Sequence, residues 1–174
     1  DEIRETDRQI NATEVEIRRA LLVHASVHGG IDTPEVLAFM NMIKDLERIG
    51  DYNKNIFDLA EEGVSFTESP EIETILSLRD EVSSRISLMG EILSMRDEER
   101  ARTYIERGDE MRKDFDRRVN ELLHSTEEAV TAVPRALLFR FLKRVSAHSS
   151  NVVSAVVMPV DQLDYYDESE DTRN

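Results

Sequence analysis

Cysteine is absent from the 174-residue chain, which rules out disulfides and thiolate metal sites without fixing the compartment. Glycine and proline are scarce, at 6 and 4 residues. With 40% apolar and 34% charged residues, that scarcity fits long, surface-charged helices rather than a sheet protein or a disordered chain. No signal-peptide pattern is present, and no apolar run approaches the roughly 20 residues that span a bilayer. Basic residues are outnumbered, 22 against 37 acidic, for a formal charge of −15. Such a surface repels nucleic-acid phosphates and anionic lipid, and favours metal cations and basic protein patches. There is no nucleophile–base pair, no Gly-rich phosphate loop and no nucleic-acid motif.

What is present is helix. Residues 1–28 carry Ile3, Ile10, Ile17, Leu21 and His24 at helical spacing, and Gly29-Gly30 ends the stripe. Thr33-Pro34-Glu35 supplies an N-cap, a first-turn proline and an early acid for a second helix that stops at Gly63. Ser69-Pro70-Glu71 repeats that signal and opens a third helix over 70–95, with Ile72, Ile75, Val82, Ile86, Met89 and Leu93 on one seam. A fourth helix is expected from near Asp97, and a fifth from Pro134 to before Pro159. The acidic stretch DQLDYYDESEDTRN closes the chain as a tail over 161–174. With short connections and no strand alternation, the expected fold is an all-α antiparallel helical bundle in one domain.

The chain repeats itself. LERIGDYNKNI at 46–56 aligns without a gap with LKRVSAHSSNV at 142–152, and DRQIN at 7–11 with DRRVN at 116–120. Both signals fall on helices and come in the same order, so the chain reads as two structural repeats. The third helix then opens the second repeat, and an equivalent before residue 1 is missing from the first. The chain also starts at Asp1 rather than Met, and is expected to be a piece of something longer.

Glu47, Asp51 and Asn55 are spaced i, i+4, i+8 along one helix face. Asp7 and Glu14 take two slots of the otherwise apolar seam 3, 7, 10, 14, 17 and 21. Buried carboxylates need partners, and two are open. One is a cation held by oxygen ligands from facing helices; the other is salt bridges to Arg4, Arg18 or Arg48. In the second repeat Leu123, Lys143 and Ala147 stand opposite Glu14, Glu47 and Asp51, and only Asp116 survives. Acids lost together look like one site, so Asp7, Glu14, Glu47 and Asp51 are the candidate metal ligands. The paired Asn11/Asn120 and Asn55/Asn151 persist in both halves and are expected to serve helix packing or backbone bonding.

LERIGDYNKNI, preceded by a helix carrying DxxIN, closely resembles the signature of the PhoU family of phosphate-transport regulators. The resemblance implies two three-helix repeats in a bundle, of which 1–63 is the first, short of its opening helix, and 70–160 the second. It implies a divalent or trivalent metal (Fe, Mn, Mg or Zn), with Glu47 and Asp51 on the family's metal motif and Asp7 on the acid of the adjoining helix. Lys143 and Ala147 depart from that motif, and a Lys ammonium could stand in for a cation there. The family's role implies a non-enzymatic cytoplasmic regulator of phosphate uptake and phosphate-starvation signalling. Its implied partners are the transporter ATPase and a sensor histidine kinase; a homodimer is also open. The alternative is a soluble cytoplasmic PhoU-like domain of an ion or phosphate transporter.

Other residues carry weaker signals. His24 and His28 are i, i+4 and read as C-terminal dipole partners rather than zinc ligands. His148, beside the lost ligand position 147, reads as an exposed histidine rather than a rescued ligand. Arg135, Arg140, Lys143 and Arg144 form the one basic stripe, a docking face for an acidic partner, an anion site or, most plainly, a balance to the acidic tail. Glu121–His124 has the spacing of a di-iron motif without a partner carboxylate, so a metalloenzyme ranks last.

Overall fold

The structure, a computed structural model, describes residues 2–27 and 32–163. Five α-helices run in order: α1 (Glu2–Val27), α2 (Thr33–Glu61), α3 (Ile72–Met95), α4 (Glu98–Leu123) and α5 (Ala129–Ser154), followed by a 3₁₀ turn at Val160–Gln162. No strand forms among the described residues. The expected His28–Gly29–Gly30 helix end and the tail from 164 onward lie outside the described residues.

Local sequence explains most of the boundaries. Gly63 takes φ +84°, a left-handed conformation that lets it terminate α2. Arg96 takes φ 51° at the end of α3, and the next residue, Asp97, caps α4 by accepting from the Arg100 N–H at 3.0 Å. The fifth helix differs from expectation. It starts at Ala129, five residues ahead of Pro134, because the Glu128 carbonyl accepts from both Thr131 and Ala132 and nucleates a turn there. Pro134 is therefore inside the helix, where it forgoes one ladder hydrogen bond. Leu163, expected in the tail, is buried, held by the 3₁₀ turn against α2.

Cross-helix pairs fix the topology. Arg4–Asp58 and His24–Asp32 make α1 antiparallel to α2. Arg107–Glu81 and Arg100–Glu91 do the same for α3 and α4. Lys143–Asp116 pairs α4 with α5, and His148–Asp45 pairs α2 with α5. Helices that follow one another within each hairpin thus run antiparallel, as do α2 and α5 at the centre, while α3 lies parallel to α5, with Glu71 against Arg135 and Arg85 against Ser150.

The core belongs mainly to α3, α4 and α5. Ile92, Phe115, Phe139, Val152 and Val153 are fully buried there, whereas no residue of α1 is buried. The run Ser146–Ala147–His148–Ser149–Ser150 is buried throughout, and its small side chains let α5 approach its neighbours closely. Gly108 of α4 serves the same end: a Cβ there would lie 2.7 Å from Arg85 Nη2 and closer still to Ser150 Oγ. Arg85 is itself buried, stacked 3.8 Å from the Tyr104 ring centroid and donating to the Tyr104 carbonyl and to Ser150 Oγ. On the other side of the molecule the α1–α2 hairpin leaves a groove of about 500 Å³, lined by Ile10, Ile17, Ile43, Leu46 and, from α3, Ile86 and Met89.

Where α2 crosses α5, the aligned segments 46–56 and 142–152 meet. Tyr52 and His148, which occupy matching positions, stack with ring centroids 5.7 Å apart and planes 15° apart. Tyr52 also faces Phe141 at 6.1 Å, while His148 bonds Asp45 at 2.7 Å. Asp45 and Phe141 are matching positions too, so each contact is the other's image under exchange of the two segments.

Candidate functional site

The four candidate carboxylates lie along the α1–α2 contact in two layers. In one layer, Lys54 Nζ sits between Asp7 and Asp51, 3.2 Å from Asp7 Oδ2 and 2.9 Å from Asp51 Oδ1. The hydrogen bond to Asp51 is the main cause that holds the Lys54 pKa above the usual lysine value, against the opposing effect of burial and with help from Asp7. In the other layer, Lys44 Nζ lies 2.6 Å from Glu47 Oε2. Arg18 Nη2 lies 2.8 Å from Glu14 Oε1, a Coulombic contact without hydrogen-bond alignment. Asp7, Glu14 and Glu47 are mostly buried, with side chains 13%, 11% and 12% exposed, whereas Asp51 is 42% exposed.

Antiparallel pairing brings Asp7 and Asp51 to one cation, and that cation is a lysine four residues before Asp58 on the same helix. Arg4 extends the ladder by bridging Asp58 and Glu61. A metal ion would need several of these oxygens turned inward together, and each carboxylate is instead engaged by an ammonium or guanidinium group. Among the described residues, no group of three or more His, Cys, Asp or Glu side chains is placed to hold a metal. As arranged, the donor set does not fit the metal centre that the resemblance implies.

The second half places the matching residues differently. Lys143 reaches across from α5 to Asp116 of α4, with Nζ 2.6 Å from both carboxylate oxygens. Ala147, at the position matching Asp51, is buried. Of the basic stripe, Arg135 is buried and pairs with Glu71 at 2.6 Å and with Glu127. Arg144 donates to the Tyr52 hydroxyl at 3.2 Å. Charge balance for the stripe therefore comes from the bundle itself at 135 and 143; the acidic tail lies outside the described residues.

His148 is buried, not exposed as the sequence suggested. Its Nδ1 donates to Asp45 Oδ1, and Asn151 reaches the same oxygen at 3.5 Å. Its Nε2 is buried without a hydrogen-bond partner among the described residues. Asp45 was missed altogether; the available signal was that it aligns with Phe141, an apolar slot. His24 pairs with Asp32 at 2.8 Å, and its i+4 neighbour His28 lies outside the described residues. Glu121 of the di-iron spacing is exposed and bridged to Arg117 at 2.7 Å. Of the paired asparagines, Asn120 is exposed, while Asn151 reaches across to Asp45 at 3.5 Å.

An antiparallel helical bundle, with carboxylates spaced along the contact of its first two helices, is the class of protein that these features define. Residues 1–60, which take in α1 and nearly all of α2, match the family model of the PhoU domain. No curated protein and no solved structure matches the chain. No helix among the described residues is long and apolar enough to cross a membrane.

Proposed function

We propose that the protein is a non-enzymatic PhoU-like regulator of phosphate uptake and phosphate-starvation signalling, acting through protein contacts on the cytoplasmic side. The observation that carries the reading is the PhoU match over 1–60, which falls on the hairpin that holds most of the exposed large apolar side chains among the described residues. Ile3, Ile17 and Leu46 are each about two-fifths exposed on it. Contiguous apolar surface of that kind marks a contact face. The phosphate transporter ATPase and a sensor histidine kinase are the proposed partners. The metal expected at Asp7, Glu14, Glu47 and Asp51 has no part in the proposal, since basic side chains already engage those groups.

A second reading is favoured by the same uncovered face: a soluble domain of an ion or phosphate transporter, whose remaining parts would cover it. Deletion of the gene in the source organism separates the two. Phosphate-starvation genes expressed in phosphate-rich medium, with uptake raised, support the regulator. Loss of ion or phosphate transport supports the transporter domain. Neither change sinks both readings.

A further inference from the structure

The chain offers an ammonium group to the inter-helix carboxylates of each half, and it does so from positions that do not match. Lys54 aligns with Ser150, and Lys143 aligns with Glu47. We propose that Lys54 and Lys143 are the resident counter-ions of these two sites, so that the protein neutralises its inter-helix carboxylates with lysine in place of a divalent metal. The inference is independent of the regulatory reading.

Two independent contacts support it. In the first half Lys54 Nζ bridges Asp7 of α1 and Asp51 of α2 at 3.2 and 2.9 Å. In the second half Lys143 Nζ holds both oxygens of Asp116 at 2.6 Å. An ammonium has three donors and one charge, which suits two or three carboxylate oxygens. A hard divalent ion can complete its roughly six oxygens with water, so what holds it out of the first site is the ammonium already seated between the two carboxylates. Burial explains why a counter-ion is needed in the first half. Asp7 is only 13% exposed, and an unpaired carboxylate there would be costly.

The site in the first half therefore has a defined weakness. Without the ammonium, Asp7 and Asp51 face one another with two negative charges and a vacated place between them. A divalent cation should enter it. In the second half Asp116 is a single carboxylate, and no cation should be recruited.

The test uses the full chain, purified without a metal-affinity tag, as wild type, Lys54→Met, Lys54→Met/Asp51→Asn and Lys143→Met. Elemental analysis is run as purified, followed by Mn²⁺ titration read by electron paramagnetic resonance and thermal melts with Mn²⁺ or EDTA. The wild type should carry no stoichiometric metal, bind Mn²⁺ at least tenfold more weakly than Lys54→Met, and melt at the same temperature in Mn²⁺ and EDTA. Lys54→Met should melt lower than wild type and regain part of the difference in Mn²⁺. Adding Asp51→Asn should abolish that gain, and Lys143→Met should show none. Near-stoichiometric metal in the wild type would overturn the proposal, as would a Lys54→Met variant no better at binding Mn²⁺ than wild type. Should Lys54→Met fail to fold, the wild type decides alone: a ¹⁵N-labelled Lys54 ammonium signal unmoved by millimolar Mn²⁺'s diamagnetic substitute Mg²⁺ supports the proposal, and its displacement overturns it.

Discussion

The two halves of the bundle bury their side chains very differently. In α3–α5, Phe115 and Phe139 are fully enclosed and tilted against one another at 6.4 Å. In α1 no residue is buried, and Leu22 and Val23 are more than 60% exposed. The helix that makes this difference is α3. It covers one side of the α4–α5 hairpin, and no described element does so for the outer face of α1–α2. Similar sequence therefore does not guarantee equal packing: a hairpin needs a third element before its apolar stripe becomes a core. Polar chemistry is divided along the same line. The first half keeps acids at 14, 47 and 51 along its α1–α2 contact, where the second has Leu123, Lys143 and Ala147 and pairs its charges at other places, as in Arg107–Glu81 and Arg135–Glu71.

The sharpest way to break this comparison is truncation in each half. Phe139→Ala should destabilise the protein by about 3–5 kcal/mol, the range for fully buried aromatics. Ile17→Ala should cost less than about 1 kcal/mol, because the side chain is already 39% exposed. Equal losses in chemical denaturation would mean that the hairpin is covered in solution.

The next effect is at the crossing of α2 and α5. Asp45→Ala should cost about 2–4 kcal/mol, because it leaves the buried His148 ring without its acceptor. Asp45→Phe with His148→Tyr would make the two exchange-related contacts alike, each a tyrosine against a phenylalanine. The double variant should be more stable than either single one, with a coupling of at least about 1 kcal/mol from a double-mutant cycle. Additive losses would show that the two positions do not communicate.

A smaller effect should appear at high pH. The Lys54 pKa is raised in the folded state, chiefly by the Asp51 hydrogen bond, so the stability it brings is fully present below the ordinary lysine value of about 10.4 and is lost as pH rises through the folded value. Burial raises Tyr104 in the same direction, and its contribution likewise fades above about pH 10. Melts from pH 8 to 12 should therefore show an alkaline decline. It should be shallower in Lys54→Met, where only the Tyr104 part remains. The smallest loss is expected from Lys143→Met. Its partner Asp116 is 54% exposed, and such pairs contribute up to about 1 kcal/mol.

The helices were legible because their ends are written locally. Pro34, Gly63 and Asp97 each act within one turn, and each marks a boundary where expected. Pro134 misled for a related reason: a first-turn proline is common, but the Glu128 carbonyl had already started the helix upstream. The basic partners of the carboxylates were only half legible. Arg18 was foreseen as a partner, while Lys44 and Lys54 were not, since helix periodicity does not say which of several nearby bases reaches across. His148 was misread because its burial depends on Asp45, a partner from the other half of the chain. No local pattern carries that pairing. The alignment of the two segments did contain it, through the match of Asp45 to an apolar slot.

The stacked Tyr52 and His148 sit where the two halves exchange. In a symmetric homodimer, a residue at such a place meets its own copy and must be self-complementary. Two copies of the His148–Asp45 arrangement would put a pair of imidazoles face to face between two carboxylates in a dry interior. Two similar segments within one polypeptide escape that requirement, because each can change without the other. The protein can therefore keep a single polar pair at its centre and let an aromatic contact serve on the opposite side, an economy open to a tandem chain and closed to a dimer of identical subunits.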